Sequence, residues 1–222
     1  MKKIYLIAMA TSLSFQVTAQ DTAAAAAKKK IHSESVSELI FSWGKVEASP
    51  LDPGTVVRFS CFFHLGQQVH IDFNKNTGFY TGLSLRNVGI INNLNDSVKI
   101  KQRVYTLGIP IAFKFGDMTG TYIAVGVEGE FAIQYKQKVF VNDEKSKTNI
   151  WFSDRTNIFL PSAFGELRTK YGTYLKFKYY LTDFLKPGKQ HVNVPGITYN
   201  PTKSQMAYVS IGYAFNNRRM RK

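Results

Sequence analysis

Four histidines, His32, His64, His70 and His191, are the side chains of this 222-residue chain best suited to ligating a metal or moving a proton. His64 and His70 share an alternation face with Arg58, Ser60 and Asp72, as one side of an extended strand would place them. Six residues along a strand separate the two rings by roughly 20 Å, too far for one metal ion. The plain alternative is polar filling of a barrel interior. His191 with Asp183 and Ser204 supplies the residue types of a nucleophile, base and acid set. All three lie in or beside the loop-like stretch 186–204, so a solvated loop explains them equally. Cys61 is the only cysteine, which excludes an internal disulfide and a paired-cysteine metal site. No glycine-rich phosphate loop is present. The sequence therefore assigns no catalytic, cofactor-binding or metal-ligating residue, and implies no cofactor.

The charged residues follow a different logic. In "TYLKFKYYLTDF" (173–184), Leu175, Phe177, Tyr179 and Leu181 fall on one face of a strand and Lys176, Lys178, Tyr180 and Thr182 on the other. The stretch 121–135 sets Ile123, Val125, Val127, Phe131, Ile133 and Tyr135 against Tyr122, Ala124, Gly126, Glu128, Glu130, Ala132 and Gln134. The stretch 105–115 sets Tyr105, Leu107, Ile109, Ile111, Phe113 and Phe115 against Thr106, Gly108, Pro110, Ala112 and Lys114, and 207–215 sets Ala207, Val209, Ile211, Tyr213 and Phe215 against Tyr208, Ser210, Gly212 and Ala214. Pro110 marks a bulge or a weakened ladder position.

Eight strands are expected over 37–48, 55–73, 78–91, 102–115, 121–141, 157–168, 173–184 and 205–215. Most exceed the five or six residues usual in soluble sheets and match the 9 to 11 of a membrane-crossing strand. Their connections alternate. "NKNT", "GDMTG" and "KYG" are short; "SPLDPG", "NNLNDSVKIK", "NDEKSKTNIWFSDRT" and "KPGKQHVNVPGITYNPTKS" are long. Outer-membrane barrels have this asymmetry, with short periplasmic turns, long outer loops and both termini in the periplasm. The lumen of eight strands is too narrow for so many large apolar side chains.

The apolar faces therefore belong outside. The expected lipid-facing set is Leu107, Ile109, Ile111, Phe113, Val125, Val127, Phe131, Leu175, Phe177, Tyr179, Val209, Ile211, Tyr213 and Phe215. The expected lumen ionic network is Arg86, Glu128, Glu130, Glu166, Lys176 and Lys178, since buried charges need partners. Glu166 falls opposite Lys176 by count across the hairpin centred on Tyr171.

Composition agrees. Hydrophobic residues make up 44 % and aromatics 14 %, excluding a disordered chain. Residues 1–19 read as a signal peptide, with Lys2 and Lys3 before an apolar stretch and Val17 and Ala19 at the cleavage site. The formal charge of +14, or +12 once Lys2 and Lys3 leave, suits nucleic acid or an anionic lipid surface, and export weakens the first because an exported chain rarely meets DNA. Residues 20–36 read as an Ala/Lys-rich linker, 37–215 as the barrel and 216–222 as a basic tail. The fold class is all-β: an eight-stranded antiparallel transmembrane up-and-down β-barrel after a cleaved signal peptide.

"RVYTLGIPIAFKFGDMTGTYIAVGVEGEFAIQY", "YGTYLKFKYYLTDF" and "YVSIGYAF" are similar to strands of the PorT-type outer-membrane β-barrel family, with Tyr105, Ile109, Pro110, Gly126 and Gly129 at the matching positions. The resemblance covers about 55–215. It implies the outer membrane of a Gram-negative bacterium and, for some members, type IX secretion. Phe215 departs from the pattern of a terminal aromatic, because "NNRRMRK" follows it. Expected partners are the outer-membrane lipid bilayer, the barrel-assembly machinery during insertion and a secretion-system or surface partner. A lipid-modifying outer-membrane enzyme, a small-solute channel and a soluble periplasmic barrel with an apolar ligand are the rival readings.

Overall fold

A computed structural model describes residues 30–49, 53–142, 144–189 and 199–216. The signal peptide and most of the linker (1–29), the basic tail (217–222) and His191 lie outside the described residues. The strands are β1 (Lys30–Ser49), β2 (Gly54–Val56), β3 (Arg58–Ser60), β4 (Leu65–Asp72), β5 (Thr77–Asn95), β6 (Val98–Gly116), β7 (Tyr122–Val141), β8 (Glu144–Trp151), β9 (Phe159–Arg168), β10 (Thr173–Tyr180) and β11 (Asn200–Asn216). Every pairing is antiparallel. The order β1–β4–β5–β6–β7–β9–β10–β11 closes on itself through β11 and β1, giving a ring of eight. β2 and β3 share the second position with β4, and β8 continues the sixth beyond β9. Closure leaves neither end strand with a bare edge.

Several expected boundaries move. The first strand opens at Lys30, so 30–36 belong to the wall rather than to a linker. The expected loop "NNLNDSVKIK" is strand up to a two-residue turn at Asp96 and Ser97, where the Asn95 side chain accepts the Ser97 N–H (3.0 Å). Much of "NDEKSKTNIWFSDRT" is β8, paired with β7. Two of the long connections are thus hairpins that lengthen the wall.

The second expected strand is broken. Residues 61–64 leave the sheet, with Phe63 in the left-handed region (φ 64°). Nearer β2 and β3, where Ser42 pairs with Arg58, β1 and β5 also touch each other directly. Ser42 Oγ donates to the Gly89 carbonyl (2.6 Å), and a Cβ at Gly44 would overlap Ile90. Pro110 introduces no bulge. The register is the same on both sides of it, Thr81 with Ile111 and Ser84 with Gly108, and only ladder positions are lost.

A bulge does occur on β7. Tyr105 pairs with Gln134 but Thr106 with Ala132, so Ile133 is the extra residue. Beyond it the faces exchange: Tyr135, Gln137 and Val139 are buried while Gln134, Lys136 and Lys138 turn outward. Tyr135 and Gln134 therefore stand opposite to their expected faces. The bulge sits where β7 changes neighbour from β9 to β8, with the Ala132 N–H given to Ile158 (2.8 Å) and the Ile133 carbonyl taken by Phe152 (2.9 Å).

β10 ends at Tyr180, short of the expected Phe184. The chain then folds inward, burying Phe184 and Leu185 completely, and the last strand starts at Asn200, before the expected Gln205.

Candidate functional site

The interior has three layers. The middle layer is ionic and centres on Arg86. Its Nε donates to Glu38 Oε1 (2.5 Å), and its Nη1 donates to Ser84 Oγ (2.6 Å) and to Glu128. Lys178 Nζ donates to Glu130 Oε1 (2.5 Å) and to Glu128. Neutral donors complete the carboxylates: Ser210 on Glu38 (2.7 Å), Thr106 and Tyr180 on Glu130 (2.8 and 3.0 Å) and Ser84 on Glu128. All these charges are almost fully buried, so the mutual pairing is what makes their burial tolerable.

The second layer lies towards the short turns. Lys176 and Glu166 are direct cross-strand partners, with Nζ 3.1 Å from Oε2. Arg168 binds Glu166 (2.7 Å), Glu34 (2.7 Å) and Gln68 (3.0 Å), and Lys114 binds Asp72 (2.5 Å). Aromatic rings box these cations. Lys176 lies 5.1 Å from the Phe164 centroid, Arg168 4.9 Å from Tyr174 and Lys178 5.5 Å from Tyr208.

Large rings share this interior: Tyr180 and Tyr208 stand on the faces expected inside, and Tyr80, Phe164 and Tyr174 are buried with them. Glycines on neighbouring strands make the space. A Cβ at Gly108 would meet Glu128 Oε1 at 2.5 Å, and one at Gly212 would run into the Tyr174 ring. Arg168 and Lys176 also lie against that ring, 4.9 and 5.3 Å from its centroid, so moving it disturbs both contacts. Gly212→Val is expected to cost about 1–3 kcal/mol by overpacking. Urea unfolding in lipid vesicles measures this, and Tyr174→Ala in the same chain should return part of the loss.

At the short-turn mouth, a cavity of about 700 Å³ is lined by residues including His32, Glu34, Lys114, Tyr122 and Arg168. His32 and His70 stack with centroids 5.0 Å apart, and His32, Glu34 and His70 offer ligand atoms within 4.8 Å of one another. These are the side chains that could hold a metal. Their positions are already compensated, however: Arg168 takes Glu34, and Lys114 Nζ lies 3.2 Å from His70 Nδ1. A cation there would have to displace two others.

His64 turns elsewhere, to Ser60 Oγ (2.8 Å) and the Asn87 N–H (3.3 Å), while Arg58 takes the Asn87 carbonyl (3.1 Å). Of the nucleophile set, Asp183 accepts the Ser204 N–H (2.6 Å), and the Ser204 hydroxyl bridges the Leu185 N–H and carbonyl (2.7 and 3.2 Å). The serine is held by structural bonds, and Asp183 meets its backbone rather than its hydroxyl.

The third layer is apolar and was not legible as such. Val98, Ile100, Val104, Tyr135, Val139, Leu160, Phe184, Leu185, Tyr199 and Met206 are among the residues of one buried cluster inside the long-connection end. The outer surface is the inverse. On β6, Leu107 to Phe115 present alternating apolar side chains outward, while Lys99, Lys101 and Arg103 occupy that face further along.

The proposed lipid-facing residues Leu107, Ile109, Ile111, Phe113, Val125, Val127, Phe131, Leu175, Phe177, Tyr179, Ile211, Tyr213 and Phe215 point outward, 36–56 % exposed, and Val209 is half-buried among them. From Leu107 to Phe115 is about 27 Å along a strand, or roughly 20 Å along the axis at the usual barrel tilt.

No protein-family model matches this chain. No curated protein matches it either. Among solved structures it is similar to Ail, the attachment invasion locus protein of Yersinia pestis, at 7 % identity over 83 % of this chain and 97 % of that one, with a TM-score of 0.37. It is also similar to Neisserial surface protein A, at 8 % identity over 84 % and 96 %, with a TM-score of 0.40. A third similarity is to the TodX deltaS2S3 mutant monoaromatic hydrocarbon channel, at 8 % identity over 86 % and 91 %, with a TM-score of 0.24. The eight-stranded ring itself rests on the pairing of this chain's own strands.

Three carboxylates central to the interior, Glu34, Glu38 and Asp72, were not singled out as network members from sequence. Glu34 and Glu38 lie on β1, whose mixed alternation hides them, yet their even spacing with Val36, Ile40 and Ser42 is the signal that finds them.

Proposed function

We propose that this chain is an outer-membrane β-barrel of a Gram-negative bacterium whose role is structural or interactional and is exercised through its outer surface. The observation that carries the reading is the reversal of polarity along the wall. A belt of exposed Leu, Ile, Val, Phe and Tyr surrounds an ionic interior, and beyond the belt cations lie outside and apolar side chains inside. A water-soluble barrel has no use for the belt, and lipid has.

The apolar cluster at one end and the interlocked charges in the middle speak against conduction. The structural use of Ser204 speaks against hydrolysis. In the finer reading, a PorT-type barrel with a part in secretion and an assembly-machinery contact at Phe215, support comes from Tyr105, Ile109, Pro110, Gly126 and Gly129 in the matching segment.

Membrane fractionation tests the proposal. The protein is expected in the outer-membrane fraction and, because a closed barrel resists unravelling, to migrate differently on gels before and after boiling. Recovery in the periplasmic supernatant without detergent overturns it in favour of the soluble barrel.

A further inference from the structure

The outer face of β6, β7 and β8 beyond the belt carries cations in register. Arg103 lies opposite Lys136, and Lys101, Lys138 and Lys147 form one row across three strands. Lys99 and Lys145 flank Phe140 in the next row, with the Lys101 and Lys145 amines 5.1 and 6.0 Å from its ring. Directly opposed side chains lie about 4.5–5.5 Å apart at Cβ, and like charges so placed destabilise a sheet. None of these seven cations forms an ion pair with a described residue. Mutual repulsion from Lys145, Arg103, Lys147 and Lys101 lowers the Lys138 pKa. Arg103 and Lys136 lie 5.9 and 4.9 Å from the Tyr105 ring, so aromatic faces offset part of the cost of this arrangement, but no anion among the described residues does.

Its position says what compensates it. The row immediately before the cations is Tyr105, Gln134 and Trp151, with the Trp151 ring largely exposed. This is the aromatic edge of the belt, where a bilayer's hydrocarbon ends. The three cationic rows follow at steps of about 7 Å along the strands, outside the wall. They therefore overhang the depth at which lipid phosphates lie.

We infer that this face is a binding surface for the phosphorylated headgroups of the surrounding lipid, gripping the leaflet that borders the long-connection end. The inference rests on the membrane reading above. Its partner is anionic lipid rather than a soluble polyanion, because the cations face laterally over the belt rather than along the barrel axis.

Trp151 is a built-in reporter, and a Trp43→Phe background leaves it as the single tryptophan of the two. The full-length protein is reconstituted in phosphatidylcholine vesicles containing phosphatidylglycerol, with bromine on the chains of one lipid or the other. Brominated phosphatidylglycerol is expected to associate with the Trp151 site about fivefold more strongly than brominated phosphatidylcholine, the ratio that one lysine near a charged surface supplies. The preference should fall in high salt and vanish in Lys101→Gln/Lys138→Gln/Lys147→Gln. The matching triple arginine variant should keep it.

In phosphatidylcholine alone the glutamine variant should unfold at the same or a higher urea concentration than the parent, which shows that it folds. Equal quenching by the two lipids, or a preference that survives the triple glutamine variant, overturns the inference. So does charge-dependent binding of soluble polyphosphate without lipid preference. Absence of quenching by either lipid instead overturns the membrane reading.

Discussion

Replacing Arg86 by methionine is expected to cost the barrel about 3–5 kcal/mol, the penalty for breaking a buried ion pair from one side. Arg86 is the only cation among the described residues that pairs with Glu38, and it also binds Glu128. Glu128 keeps Lys178 in the variant, whereas Glu38 keeps only the Ser210 hydroxyl. Glu38→Gln in the same chain should therefore restore a large part of the loss, and Glu128→Gln a smaller part. Urea unfolding in vesicles, with the full cycle of single and double variants, separates these contributions. A loss below about 1 kcal/mol for Arg86→Met, the range of a solvent-exposed pair, means that water reaches the layer and that the interior is not sealed.

The outer face gives the second large effect. Phe177→Lys should destabilise by about 2–4 kcal/mol, the cost of a lysine on the lipid face near mid-membrane. One residue along the strand, Lys176→Gln should cost less. Its partner Glu166 retains Arg168, so no carboxylate is orphaned. Glu166→Gln made with Lys176→Gln recovers part of that smaller loss. The comparison needs the same vesicles for every variant. If Phe177→Lys is harmless while Lys176→Leu stabilises by a similar margin, the belt does not lie in hydrocarbon.

The parts legible in the sequence are those where one face is uniform over a whole strand. β6 alternates from Val98 to Phe115 with no bulge of its own, and β9–β10 turns within four residues, so the placing of Lys176 opposite Glu166 follows from counting. The rest was hidden by events that alternation does not encode. Ile133 flips β7 by a single residue, which only the changed pairing with β8 and β9 dictates. The break in 61–64, where Phe63 takes a left-handed backbone, falls inside a stretch whose residue types alternate as a strand would. The apolar end layer escaped because the belt's rule, large outside and small inside, was extended past the belt.

The closing seam sets a clock for this molecule. β5 and β6 meet across a two-residue turn, and such hairpins form in about 1–10 μs. β1 and β11 pair from Glu34 with Asn216 to Ser49 with Asn200, joining the two ends of the described chain. Local pairings close short loops, whereas this one closes the whole described chain and carries the largest loop-closure entropy unless the intervening strands have already paired. Until that moment both partners are open edges able to pair with any other strand. Substitutions that weaken the seam are therefore expected to slow closure more than the same changes in the β5–β6 hairpin, which refolding rates in vesicles would measure.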